Sequence, residues 1–178
     1  IPVIIFLEVQ DVFDLILKNA DIIAPAGVLR EGTVAIRDGK IVALGGRESL
    51  GSAHREIDLK GNTLFPGMFD PHCHLGSGDE RTYEYMGESF ACDTRDFLIG
   101  GVTSMAPTTV LTRDSLPENI RKTKLAGSGR SWVDFRVTSV VLTDEHVDQI
   151  PAAIREGALS FKFYCGYCHD QAERMGMN

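Results

Sequence analysis

No apolar run in this chain approaches the ~20 residues that a membrane-spanning helix needs. The apolar opening, Ile1 to Leu7, is too short for one and lacks the basic flank of a signal peptide. Basic charge is also scarce: 18 Lys and Arg against 25 Asp and Glu give a net charge of −7, which argues against a nucleic-acid or anionic-membrane partner. The four cysteines, Cys73, Cys92, Cys165 and Cys168, are too few and too irregular for a disulfide scaffold. A reducing, cytoplasmic setting is the expectation. With no methionine at position 1, the start is expected to be a processed or trimmed one.

What is present is ordinary globular composition, 43% hydrophobic and 24% charged over 178 residues, enough for one domain or a small domain plus part of a larger one. Residues 1–65 read as a small antiparallel β domain of sandwich type. A strand, a bend at Lys18-Asn19 and a return are expected over Asp14–Ile23. Asp38-Gly39 between Thr33–Arg37 and Lys40–Leu44 is a strong type I′ hairpin signal, because both turn residues must take positive φ. Short strands at Glu56–Lys60 and Thr63–Phe65 flank a turn at Gly61-Asn62. So small a block buries little core unaided.

Residues 66–178 change rhythm. Strands are expected at Pro66 to Leu75, Val102–Pro107, Trp132–Leu142 and Ala158–Tyr164. Helices are expected at Glu88–Ile99, at Leu116–Leu125 behind an Asp114-Ser115 cap with Leu116, Ile120 and Leu125 near one face, and from Thr143 to Glu156 with Pro151 in a first turn and Gly157 past the end. Alternation at this spacing means βαβ units and a parallel sheet, either a small open one or half of a (β/α)₈ barrel. Fewer than half of the ~250 residues of a full barrel remain here.

Two positions stand out. His72 and His74 sit two apart at a strand end, so both point one way and Cys73 the other. Two such imidazoles can share one metal ion; they can also be two unrelated surface histidines. Lys162 lies between Phe161 and Phe163, on the face of Ser160 and Tyr164. A lysine there either snorkels to water or, in an apolar site, becomes a neutral amine able to take up carbon dioxide as an anionic carbamate. Cys165-Gly166-Tyr167-Cys168-His169 leaves three readings open: c-type haem attachment, a structural zinc on the thiols, or an incidental pair. Cys73 and Cys92 read as core or surface residues.

In order, Gly39–Gly45, Pro66-Gly67-Met68-Phe69-Asp70-Pro71-His72-Cys73-His74, Asp93-Thr94-Arg95, Gly100-Gly101-Val102-Thr103, Trp132–Phe135 and Phe161–Tyr167 resemble the amidohydrolase superfamily, in its hydantoinase/dihydropyrimidinase group, with dihydroorotase and allantoinase as neighbours. The resemblance runs from about Asp14 to Tyr167. It implies the N-terminal half of a TIM-like (β/α)₈ barrel preceded by the small β domain. It also implies a binuclear site of two Zn²⁺, with His72 and His74 as ligands of the more buried ion and carboxylated Lys162 bridging both. Tyr167 is implied as the hydrogen-bond donor to the substrate carbonyl, and Asp70 as a supporting residue. The implied reaction is ring opening of a small cyclic amide by a metal-activated hydroxide, in a homotetramer or dimer. The loop from Leu75 to Gly87 would help shape the pocket. Two further histidines, an aspartate base and the C-terminal strands of the β domain are absent, so the chain is expected to be the N-terminal part of a longer enzyme, inactive alone. Cysteine between the histidines and Tyr164-Cys165-Gly166 depart from the family pattern, which leaves substrate preference open. The alternatives are a non-enzymatic, hydantoinase-like scaffold, or an amidohydrolase acting on dihydroorotate, allantoin or an acyclic amide.

Overall fold

The computed structural model describes residues 12–46, 50–76 and 82–166. The chain divides into two compact units between Pro66 and Gly67.

The first unit is a single five-stranded sheet: β1 (Phe13–Ala24), β2 (Gly27–Arg37), β3 (Lys40–Gly45), β4 (Ala53–Asp58) and β5 (Thr63–Leu64). Asp38 and Gly39 take φ of 50° and 68° between antiparallel β2 and β3, the left-handed pair that a type I′ turn requires. The Asp38 N–H also donates to the Asp14 carboxylate at 2.7 Å. One expectation is corrected. The sheet is mixed, not antiparallel, because β4 and β5 both run parallel to β1. The described residues of this unit form one sheet. The expected bend at Lys18-Asn19 is a bulge inside one continuous strand: Asn19 takes φ of 57°, and the register slips between Leu17 and Ala20. The bulge lies where β1 changes partner. Lys18 O accepts from Leu59 N at 2.8 Å and Asn19 O from Gly61 N at 2.7 Å. Lys60 and Gly61, both with positive φ, jog the chain from β4 to β5 without reversing it. Ile16 and Ala35 pack on one face of the sheet and Leu17 and Val34 on the other.

The second unit alternates strand and helix: β6 (Met68–Cys73), α1 (Tyr83–Ile99), β7 (Val102–Pro107), α2 (Leu116–Gly127), β8 (Asp134–Phe135), β9 (Thr138–Val140), α3 (Asp144–Asp148), α4 (Ile150–Glu156) and β10 (Ser160–Lys162). All strand pairs are parallel: β6 with β7, β7 with β8, and β9 with β10. A parallel bridge from Thr108 to Thr138 joins the two ladders, so the strands follow one another in chain order, as βαβ units require.

The single strand expected over Trp132–Leu142 is two short ones. Phe135 pairs with β7, and three residues later Thr138 pairs with β10. The extended run changes partner between them, held by Arg136 N to Met105 O at 3.0 Å and Thr109 N to Thr138 O at 3.0 Å. Trp132 is outside the sheet because it clamps α1, donating through Nε1 to Ala91 O at 3.2 Å and through its N–H to Thr94 Oγ1 at 3.0 Å. Helix α1 starts five residues before the expected Glu88, because Thr82 caps it, accepting from Tyr85 N at 3.2 Å. The buried face of α2 is Leu116, Ile120, Thr123 and Gly127; Leu125 is exposed. Strand β10 ends at Lys162, short of Tyr164.

Phe90 of α1 and Phe135 of β8 meet with ring centroids 4.7 Å apart, within a core that includes Cys73, Leu75, Met86, Met105 and Val133. A second core joins Leu116, Ile120, Val137, Val141 and Ala153. Among the described residues no helix is long and apolar enough to cross a membrane.

Candidate functional site

Strand β6 ends at Cys73, and alternation there separates the thiol from its neighbours. Cys73 turns into the core, where its Sγ lies 3.7 Å from Met105 Sδ. Burial, with the nearby Asp70 charge adding to it, pushes its thiol up to about 12. His72 and His74 turn the other way and are exposed. Their Nε2 atoms lie 3.1 Å apart with the rings nearly perpendicular, at 83°. Asp70 fixes the approach: its Oδ1 accepts the His72 backbone N–H at 3.0 Å.

Ninety residues later in the chain, Lys162 at the end of β10 brings Nζ to 3.0 Å from His72 Nε2. Its ammonium also lies 4.8 Å from the centroid of the Tyr164 ring. This convergence has a geometric consequence. In the strand sequence β6, β7, β8/β9, β10, the outer strands of a flat sheet would stand about 14 Å apart. Side chains perpendicular to a flat sheet do not close that gap. The gap closes only if the array curls or if both side chains lean toward one another along the sheet face.

Among the described residues no three His, Cys, Asp or Glu side chains gather; the third nitrogen at this site is the lysine's. The donor pair itself suits a metal. Two imidazole nitrogens bound at 2.0–2.1 Å to one tetrahedral ion stand about 3.3 Å apart, close to the 3.1 Å observed. Lysine becomes an oxygen donor only once carboxylated.

Of the residues singled out in the sequence, His72, His74 and Lys162 come together and Asp70 stands directly behind them. Tyr167, Cys168, His169 and most of the loop after Gly76 lie outside the described residues. Cys165 is exposed. The Tyr164 ring against Lys162 was not anticipated as a site feature, although the strand expected over Ala158–Tyr164 placed the two on one face.

No known family profile matches the chain. It is 32% identical to a D-hydantoinase from Ralstonia pickettii over 157 residues, 86% of this chain and 33% of that protein. It is 31% identical to an allantoinase from Bacillus licheniformis over 165 residues, 90% of this chain and 35% of that protein. Among solved structures, an L-hydantoinase (dihydropyrimidinase) from Arthrobacter aurescens superposes with a TM-score of 0.69 at 24% identity, covering 89% of this chain and 34% of its own. A dihydropyrimidinase from Brevibacillus agri does so with a TM-score of 0.72 at 22% identity, covering 91% and 38%; at these identities the likeness is one of fold. The chain thus spans about a third of the length of the curated relatives it matches, and over that N-terminal portion it is related to the hydantoinase-like amidohydrolases.

Proposed function

We propose that the chain carries the first part of the catalytic centre of a zinc-dependent hydrolase that opens small cyclic amides of the hydantoin or dihydropyrimidine type. The observation that carries this reading is the meeting at His72 Nε2 of His74 Nε2, 3.1 Å away, and Lys162 Nζ, 3.0 Å away. Residues on two strands 90 positions apart have little reason to converge at an exposed sheet end unless something binds there. The relatives named for hydantoin and allantoin chemistry support the same class of substrate.

His72 and His74 would hold a zinc ion between them, and Lys162, once carboxylated on Nζ, would add an oxygen donor to the same centre. When bound, the metal supplies an acidified water and an electrophile for the amide carbonyl. The chain's own residues hold and orient. Asp70 holds the backbone of His72 and so the direction of its ring. Buried Cys73 anchors the strand between the two imidazoles. Tyr167 donates a hydrogen bond to the carbonyl oxygen, where negative charge gathers as the ring opens. Parallel strands that follow one another in chain order support a (β/α)₈ barrel, whose chemistry sits at the C-terminal strand ends, where His72 and Lys162 are. The same reading carries a cytoplasmic, homo-oligomeric enzyme.

Metal analysis and a ring-opening assay on the full-length enzyme that contains this chain test this together. The expected result is about two zinc ions per enzyme chain and loss of hydantoin or dihydrouracil, with His72→Ala and Lys162→Ala each losing about 100-fold in activity or zinc affinity. A full-length enzyme that takes up no zinc and opens neither ring overturns the proposal.

A further inference from the structure

We infer that Tyr164 is a positioning residue for Lys162: its ring is the wall that holds the lysine side chain against His72. The inference rests on the metal-centre reading above and adds a residue to it.

Lysine has a long flexible stem and a point charge, so nothing in its own chemistry fixes where Nζ sits. Here Nζ lies 3.0 Å from His72 Nε2 and 4.8 Å from the centroid of the Tyr164 ring. The other side chain on this face of β10, Ser160, is engaged sideways with Thr138, Oγ to Oγ1 at 2.7 Å. Ser160 is therefore tied to the neighbouring strand and does not reach for Lys162. The ring face attracts an ammonium, and it remains a flat, apolar packing surface when the charge is gone. Either way the side chain is confined between an imidazole edge and a phenol face. Loss of the ring frees it to swing out to solvent, the ordinary fate of a lysine near a strand end.

The role belongs to the ring and not to the hydroxyl, so Tyr164→Phe and Tyr164→Leu separate it from a general structural effect. In metal-free protein with ¹³C-labelled lysine, the Lys162 Hε protons show an upfield ring-current shift in the wild type and in Tyr164→Phe, and lose it in Tyr164→Leu. With zinc added and ¹³CO₂ supplied, chelator competition shows wild-type affinity in Tyr164→Phe and about tenfold or more weaker binding in Tyr164→Leu, with a smaller carbamate carbon signal. A Tyr164→Leu protein that keeps both zinc affinity and carbamate overturns the role of Tyr164, as does a Tyr164→Phe protein as impaired as Tyr164→Leu. A wild type that binds no zinc, with its ring-current shift present, overturns the metal-centre reading instead.

Discussion

Asn19 holds a left-handed backbone at φ 57° and with the same side chain donates to Asp58 Oδ1 at 2.9 Å. That hydrogen bond, with a second from the Lys60 N–H, holds the Asp58 carboxyl below its ordinary value. A carboxylate favoured in the folded state stabilises the fold above its unfolded pKa, and that contribution is lost as pH falls. Asn19→Ala should therefore move the Asp58 midpoint up toward 3.8 in a carboxyl-carbon NMR titration, and acid unfolding should begin at higher pH. The strand was legible because apolar residues alternate along it. The bulge was not, because Lys18-Asn19 also reads as a turn, and only the two parallel partners that β1 acquires further along the chain choose between them. His72 and His74 were legible for a purely local reason, a spacing of two on a strand. Lys162 was legible from its place between Phe161 and Phe163 and from the family resemblance, but its meeting with His72 depends on a strand ninety residues away.

The two main helices meet through glycine. A Cβ on Gly127 would lie 2.5 Å from Phe135 Cζ and 2.7 Å from Phe90 Cε1, so α2 can only approach that aromatic pair without one. A Cβ on Gly87 of α1 would lie 2.0 Å from Arg130 Nη1, the free end of a flexible side chain. The same substitution should therefore have opposite outcomes. Gly127→Ala overpacks a core and should cost about 1–3 kcal/mol. Gly87→Ala lets Arg130 swing aside and keeps up to about 1 kcal/mol of helix propensity. Urea unfolding of the two variants checks this. Gly87 also explains the late helix start expected from the sequence, since a glycine four residues into a helix reads as a boundary until the neighbour that needs it is known. Capping was legible: Ser115, Thr143 and Gly157 all stand where the sequence placed them. Buried His146 was not singled out. It ties α3 back to the strand before it, its Nδ1 accepting from Leu142 N at 3.2 Å and its Nε2 facing Arg113 O at 3.4 Å.

At the scale of the second unit, a metal held by residues of β6 and β10 would join the first strand of the array to the last. Any ion that binds the folded form and not the unfolded chain adds to stability by mass action, about 2.7 kcal/mol at a hundredfold excess over Kd. Chelation of the zinc-loaded protein should accordingly lower Tm by roughly 5–10 °C, and the shift should vanish in His72→Ala. Parallel alternation was legible in the sequence from the rhythm of turns and caps. The change of partner between Phe135 and Thr138 was not, because it depends on how neighbouring strands pack and appears in no single segment.

The ninety residues between His72 and Lys162 also measure time. A ribosome working at about 5–20 residues per second takes roughly 5 to 18 s to cover that distance. During that interval the two imidazoles exist without the lysine that will meet them. An ion captured by the histidines alone during synthesis would have to be retained, or exchanged, when β10 arrives, so the order of translation is itself an influence on which metal meets Lys162.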